Sequence, residues 1–260
     1  MVTATPQNAG FPATSMAALR AASAPVLEVI DSTRTACVIV LAEYLDLLDP
    51  PQLGEDALLT LVTTAFESQA VPVGPLAYTL ANVEFEVSAD ARTAWAFTQR
   101  APRVRDLMGV LRLEPQRLVV GGTRYGWIPG VGCEPTHVLL ADMEAVIAEA
   151  RVYTALRAAH IGYAGQVRIT AMIYNDVPFE PLALRRFDEY TGELFLEMAS
   201  LRAFPPKSTV YSLTSTPDEI RRIYFALARR IAAAFGAAKP QFLADPDSRI
   251  VDDTTQVVAS

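Results

Sequence analysis

The chain has 260 residues, of which 51% are hydrophobic and 20% are charged, and its formal net charge is −7. This length is sufficient for one large domain with its own core, and the acidic balance excludes a protein that coats nucleic acid through general positive charge. Two cysteines, Cys37 and Cys133, are too few for a disulfide framework, and they lack the spacing of a structural zinc site, as do His137 and His160. We therefore expect a reducing compartment and no structural metal.

The two ends of the chain lack a sustained hydrophobic period. Residues 1–15 are small and polar, without the charged start of a signal peptide, and residues 241–260 are rich in small, acidic and turn-forming residues. The most apolar run, residues 35–48, contains two acidic residues and is too short to span a bilayer. The sequence therefore predicts an N-terminal arm, a single domain over residues 16–240 and a C-terminal tail, in a cytoplasmic protein that does not bind a membrane.

The first half of the chain alternates between helical and strand patterns. A helix is predicted over residues 58–66, and apolar and polar residues alternate over residues 83–87, as in a strand. A short helical run follows at residues 91–95. The next segment, AFTQRAPRVR at residues 96–105, carries three arginines and no acidic residue. It is either a solvated helix end or part of an anion-binding site. A short apolar strand is predicted over residues 117–122.

The second half of the chain has stronger patterns. Apolar residues recur at steps of three and four over residues 138–159, which predicts a long helix. Residues 166–174 alternate between an apolar face and a face that begins with Arg168, which predicts a strand. Another helix is predicted over residues 182–202, although Gly192 weakens it.

The last helix has the clearest boundaries. Thr216 is a predicted N-cap, Pro217 occupies the first helical position and Glu219 completes a capping box. Gly236 is expected to end this helix. Long helices with a few strands that do not follow one another directly indicate an α+β fold.

Two positions indicate a phosphate site. Gly122, Thr123 and Arg124 follow a predicted strand, so that open backbone, a hydroxyl group and a guanidinium group occur together. Arg168 lies within an apolar strand, where an arginine is expected to have a defined partner. The alternative is that each arginine is a solvated surface charge.

Motifs for nucleophilic catalysis are absent from the sequence. The chain has neither G-x-S-x-G nor a Walker loop. Glu84 and Glu86 form either a carboxylate pair or the exposed side of an edge strand. If the protein is an enzyme, its difficult chemistry therefore belongs to a cofactor.

Six segments resemble, in their order, the flavin-dependent thymidylate synthases. Members of this family have a strand leading into a helix that ends in Arg-His-Arg, a Ser-x-Arg-Tyr segment, a long helix, a strand with a ligand-binding arginine, an Asn-Ala-Arg helix and a final helix. The similar segments here are VEFEVSADARTAWAFTQRAP, GGTRY, MEAVIAEARVYTALRAAHIG, QVRITAMIY, LALRRF and TPDEIRRIYFALARR.

The resemblance implies a fold and an activity. The fold would be a central mixed or antiparallel sheet flanked by long helices, in a homotetramer with its sites at subunit interfaces. The activity would be C5-methylation of UMP or dUMP by FAD, methylenetetrahydrofolate and NADPH, without an enzyme nucleophile and without a nucleic-acid partner. One branch of the resemblance methylates UMP in the biosynthesis of nucleoside antibiotics.

The resemblance also assigns site residues. Those near the flavin would be Gln99, Arg100, Arg103 and Arg186. Those that hold the uridylate would be Gly122, Thr123, Arg124, Arg168 and Arg202. The motif histidine is absent near Arg100, which leaves a second hypothesis, a catalytically inactive nucleotide-binding relative. A third is a self-assembling structural or shell protein with terminal arms.

Overall fold

The computed structural model describes residues 15–28, 36–52, 54, 56–67, 84–101, 104–122, 136–175, 180–187 and 194–247. Within these ranges the helices are α1 (Met16–Leu27), α2 (Ala57–Glu67), α3 (Leu140–His160) and α4 (Pro217–Ala234). The strands are β1 (Cys37–Tyr44), β2 (Glu84–Val87), β3 (Thr93–Ala101), β4 (Val104–Glu114), β5 (Arg117–Gly122), β6 (His137–Leu139), β7 (Gln166–Tyr174), β8 (Leu182–Phe187), β9 (Leu194–Leu201) and β10 (Lys207–Ser212). The prediction of an α+β fold is confirmed.

Seven of the described strands form one large sheet. Their order is β10-β7-β1-β5-β4-β3-β2, and every neighbouring pair is antiparallel. A small sheet of three described strands has the order β6-β8-β9, in which β6 and β8 are parallel. Strand β1 lies inside the large sheet because its continuous apolar run can be buried on both faces.

Helices cover both faces of the large sheet. On one face, α1 packs against a cluster that contains Ile39, Val110 and Val119. On the other face, α2, α3 and α4 enclose the larger cluster, which includes Val40 and Ile169. Because successive side chains of a strand point to opposite faces, β1 supplies both clusters. The molecule therefore has helices, sheet and helices in three layers.

The predicted helical run at residues 91–95 is wrong. Residues from Thr93 onward form β3, which makes a hairpin with β2. The turn between them is fixed by the carboxylate of Asp90, which accepts hydrogen bonds from the Ser88 hydroxyl and the Arg92 backbone, and by Ala91 at a φ of 54°. The Trp95 indole then donates to Glu86 at 2.9 Å. Cross-strand pairing thus outweighs the local helical preference.

The predicted helix over residues 182–202 is also wrong. The segment forms β8 and β9, which pair antiparallel. Leu182 and Leu184 are both buried, so the apolar period in β8 is two rather than 3.6. Gly192, which weakened the helix prediction, lies outside the described residues between the two strands.

The other predicted elements that fall within the described residues are confirmed. They are α2, α3, β2, β5, β7 and α4. Helix α4 begins with both halves of the Thr216–Glu219 capping box, and Gly236 follows its end with a φ of 89°. Strand β7 buries Val167 and Ile169 in the larger cluster, as its alternation indicates. Helix α1 and strands β1, β4, β6 and β10 were not predicted.

Glu144 attaches the first residues of the predicted tail to α3. Its buried carboxylate accepts backbone hydrogen bonds from Gln241, Phe242 and Leu243 at 2.6, 2.7 and 2.6 Å. Burial raises the pKa of Glu144, and the three backbone N–H groups act in the opposite direction. Residues 241–243 therefore pack on the domain, while the predicted domain boundaries stay a prediction.

Across the described ranges, no helix has both the length and the apolar composition needed to cross a membrane.

Candidate functional site

A cleft with a volume of about 820 Å³ opens beside α1. The helix contributes Met16, Arg20, Ala24 and Leu27 to one wall. These positions form a single stripe of the helix, because residues four apart lie on the same side. The neighbouring stripe, which includes Leu19, is buried against the large sheet. Packing of the apolar stripe thus turns Arg20 toward the cleft.

The other lining residues come from three separate segments. Tyr174 and Asn175 lie at the end of β7, Glu180 precedes β8, and Arg202 and Phe204 lie between β9 and β10. The cleft volume falls within the range of about 300–1,000 Å³ that is typical of small-molecule sites. Its wall combines aromatic rings with a few polar groups, which is the usual composition of such sites.

Positive charge exceeds negative charge in the cleft. Its charged lining residues are Arg20, Arg202 and Glu180, so two positive charges and one negative charge leave a surplus of one. This local surplus occurs in a chain whose net charge is −7. The cleft is therefore suited to an anion.

Arg20 and Arg202 are exposed and have no ion-pair or hydrogen-bond partner among the residues that the structure describes. Arg112 and Arg117, by contrast, both contact Glu114. A guanidinium group without a carboxylate partner keeps its donors for a ligand, and its planar fork matches a phosphate. The cleft thus presents two arginines whose donors are available to an anion.

Arg168 has the defined partner that its place in an apolar strand indicates. Its guanidinium Nη1 lies 3.5 Å from Oε2 of Glu43, directly across from it on β1. On the other side of Glu43 lies Arg117 of β5. Tyr174, at the cleft end of β7, is about 20 Å from Arg168 at the usual rise per residue. The structure therefore does not bring Arg168 to the cleft, and its role as a phosphate ligand stays a prediction.

The remaining predicted site residues are dispersed. Arg186 is half-buried in β8 opposite Phe195, and Gly122 ends β5 opposite Val38 and Gly109. Gln99 and Arg100 belong to β3, with side chains outside the described part of the structure. Three further residues lie outside the described ranges altogether: Arg103, Thr123 and Arg124. Of the predicted site residues, Arg202 lines the cleft.

Arg20, Asn175 and Glu180 line the cleft but were not among the predicted site residues. A signal existed for Arg20, since Ser15 caps a run with apolar residues at helical spacing, and its side chain accepts from the Ala18 backbone at 3.2 Å. For Asn175 and Glu180 there was no local signal, because the fold of distant segments brings them together.

No protein-family model, no curated protein and no solved structure matches this chain. Function must therefore be argued from the geometry and chemistry of the site itself. The described residues contain no group of three or more His, Cys, Asp and Glu side chains placed to hold a metal ion.

Proposed function

We propose that this protein binds a small phosphate-bearing ligand of nucleotide size in the cleft beside α1. The observation that carries the proposal is the presence of Arg20 and Arg202, from distant parts of the chain, in one cleft and without partners among the described residues. Phosphate is the common biological anion that uses several arginine donors at once. The volume of about 820 Å³ leaves room for the rest of a nucleotide.

The other lining groups suit the remaining parts of such a ligand. The ring of Phe204 is stacked on Phe235, with 5.9 Å between their centroids, and is thereby held in one orientation. Tyr174, which is partly exposed, offers an aromatic surface for a base. The Asn175 amide and the Glu180 carboxylate are suited to hydrogen bonding with a base edge or sugar hydroxyl groups. The phosphate would lie at the two arginines.

A narrower function, flavin-dependent methylation of UMP or dUMP, deepens this proposal. It is supported by the order of the six similar segments and by Arg202, which lines the cleft. Two elements depart from the family pattern, because β3 and β8 are strands where that pattern has helices. Ligand binding is therefore the function that the geometry supports best. The methylase would need FAD, methylenetetrahydrofolate and NADPH, whereas its catalytically inactive relative would bind the nucleotide without them.

The binding proposal is tested by calorimetric titration with UMP, dUMP and uridine. We expect UMP or dUMP to bind and uridine, which lacks the phosphate, to bind at least about tenfold more weakly, since charge-assisted hydrogen bonds are lost. Arg202→Ala should reduce the difference in affinity between nucleotide and nucleoside. Arg229→Ala, at an exposed arginine of α4 outside the cleft, is the matched control. Equal affinity for uridine and both nucleotides would refute the proposal.

The narrower function is tested by adding FAD and following its fluorescence. Saturable quenching, followed by formation of a C5-methylated nucleotide with methylenetetrahydrofolate and NADPH, is the expected result. If nucleotides bind but FAD does not, the hypothesis of a catalytically inactive relative is supported.

The tetramer implied by the resemblance predicts a mass of about 110 kDa in light scattering, four times the 28.2 kDa of one chain. Large assemblies would instead favour a structural protein.

A further inference from the structure

A second groove lies on the opposite side of the large sheet from the cleft. Two cavities of about 310 and 240 Å³ share Ala57, Arg157 and His160 as lining residues. Ala57 is the first residue of α2, and the other two belong to the last turn of α3. Because α2 and α3 pack on the face of the sheet that α1 does not cover, this groove is separate from the cleft.

Arg157 carries a buried charge without a counter-ion in the described part of the chain. The residue is only 2% exposed, and no described carboxylate forms an ion pair with it. Its Nη2 donates to the backbone carbonyls of Glu114 and Pro115 at 3.0 and 3.2 Å, and its buried Nε has no hydrogen-bond partner within the described residues. Burial accordingly lowers the pKa of Arg157.

A buried cation is stabilised poorly by carbonyl groups alone, because its removal from water is costly unless an anion compensates for it. The groove offers further groups that an anion would use. His160 is exposed at its rim, and the hydroxyl groups of Thr60 and Thr64 line the larger cavity. The N-terminus of α2 adds the partial positive charge of a helix start.

We propose that this groove binds a phosphate dianion, either free or as the phosphate group of a small metabolite. The anion would lie between the Arg157 and His160 side chains, with Thr60 and Thr64 of α2 as hydroxyl donors. A phosphate here would neutralise the buried guanidinium group and hold the start of α2 against the end of α3. The site would act independently of the cleft, because no lining residue is common to the two.

The chain has only two histidines, so proton NMR of the imidazole groups gives a direct test. His160→Gln assigns the two signals, and inorganic phosphate is titrated at constant pH and at ionic strength matched with sodium chloride. We expect a saturable shift of the His160 signal and an unchanged His137 signal. A parallel titration with glycerol 3-phosphate distinguishes the sources, since tighter binding indicates a phosphate ester. Failure of both compounds to shift the His160 signal, or an equal shift with chloride, would overturn the proposal.

Variants separate this site from the cleft. Because Arg157 also holds the turn between β4 and β5, its replacement is expected to disturb folding, and exposed His160 is the better target. His160→Ala should weaken phosphate binding about tenfold or more in calorimetry, the loss expected for one charge-assisted hydrogen bond. Arg20→Ala should leave the phosphate-dependent shift of His160 unchanged, whether or not the cleft binds nucleotides. Unaltered phosphate affinity in His160→Ala would contradict the proposal.

Discussion

At the scale of single residues, Glu43 and Arg168 show how a charge is placed inside an apolar sheet. The two residues are directly opposite on β1 and β7, and their side chains are 20% and 9% exposed. The pair forms at a cross-strand position, where opposite charges on neighbouring strands attract. Removing one partner would take the ion pair away from a largely buried charge.

We predict that Glu43→Gln lowers the free energy of unfolding by roughly 1.5–3 kcal/mol, the range for a hydrogen bond to a charged group. Asp218→Asn is the matched control, because it breaks the exposed Asp218–Arg221 pair, for which we expect about 0–1 kcal/mol. Urea unfolding of both variants measures the difference. Equal losses would mean that Arg168 is stabilised by groups other than Glu43.

At the scale of elements, α4 begins where the sequence predicts because its capping signal is local. The Thr216 hydroxyl accepts from the Glu219 backbone at 3.3 Å, and the Glu219 carboxylate accepts from the Thr216 backbone at 2.8 Å. Both bonds join residues three apart, so the signal depends on no distant part of the chain.

We predict that Thr216→Ala lowers the free energy of unfolding by about 1 kcal/mol, the usual loss for an N-cap. Ser215→Ala, one residue earlier and outside the capping box, should change it by less than about 0.5 kcal/mol. Thermal unfolding followed by circular dichroism compares the two variants. A loss in Ser215→Ala as large as that in Thr216→Ala would remove the capping box as the cause.

The elements that sequence reasoning misjudged depend on distant partners. Strand β3 forms because β2 and β4 pair with it on both sides, and β8 forms because β6 and β9 do. Their local composition also suits helices, so the choice is made by pairing and burial. In β7, by contrast, alternation is strict and the prediction is correct, because each side chain's face is fixed by the period of two.

At the scale of the whole molecule, buried tyrosines join the layers. Tyr211 of β10 and Tyr224 of α4 share a hydrogen bond of 3.0 Å, and Tyr44 of β1 donates to the Thr154 carbonyl of α3 at 3.1 Å. Burial raises the pKa of Tyr44 and Tyr224, and it raises the pKa of Tyr211 to about 12. These hydroxyl groups therefore stay neutral to a higher pH in the folded protein than in the unfolded chain.

The raised pKa of Tyr211 has a consequence for stability at alkaline pH. The folded state holds this proton up to about pH 12, whereas an unperturbed tyrosine loses it near 10.0. The contribution is fully present below pH 10 and is lost as the pH rises through the folded pKa, to a total of about 2–3 kcal/mol. We predict that urea unfolding shows this decline, and that Tyr211→Phe, scaled to its own stability at pH 7, shows a smaller one. An equal decline in both proteins would contradict the assignment.

The candidate cleft was predictable only in part. Arg202 was named as a ligand residue through the resemblance, and it lines the cleft. Arg20 comes from a helix whose capping signal at Ser15 was not recognised. Asn175 follows the end of β7 and could not be predicted, since only the folded sheet places it beside the other two. Arg168 was correctly expected to have a partner, but that partner is Glu43 within the sheet.

The central claim is that Arg20 and Arg202 bind one phosphate group together. A double-mutant cycle on UMP or dUMP affinity, with Arg20→Ala, Arg202→Ala and the double variant, tests it most directly. We predict that each single variant binds about tenfold or more weakly. Because both residues would act on the same group, the two losses should be non-additive by at least about 0.5 kcal/mol. Parental affinity in either single variant would contradict the claim.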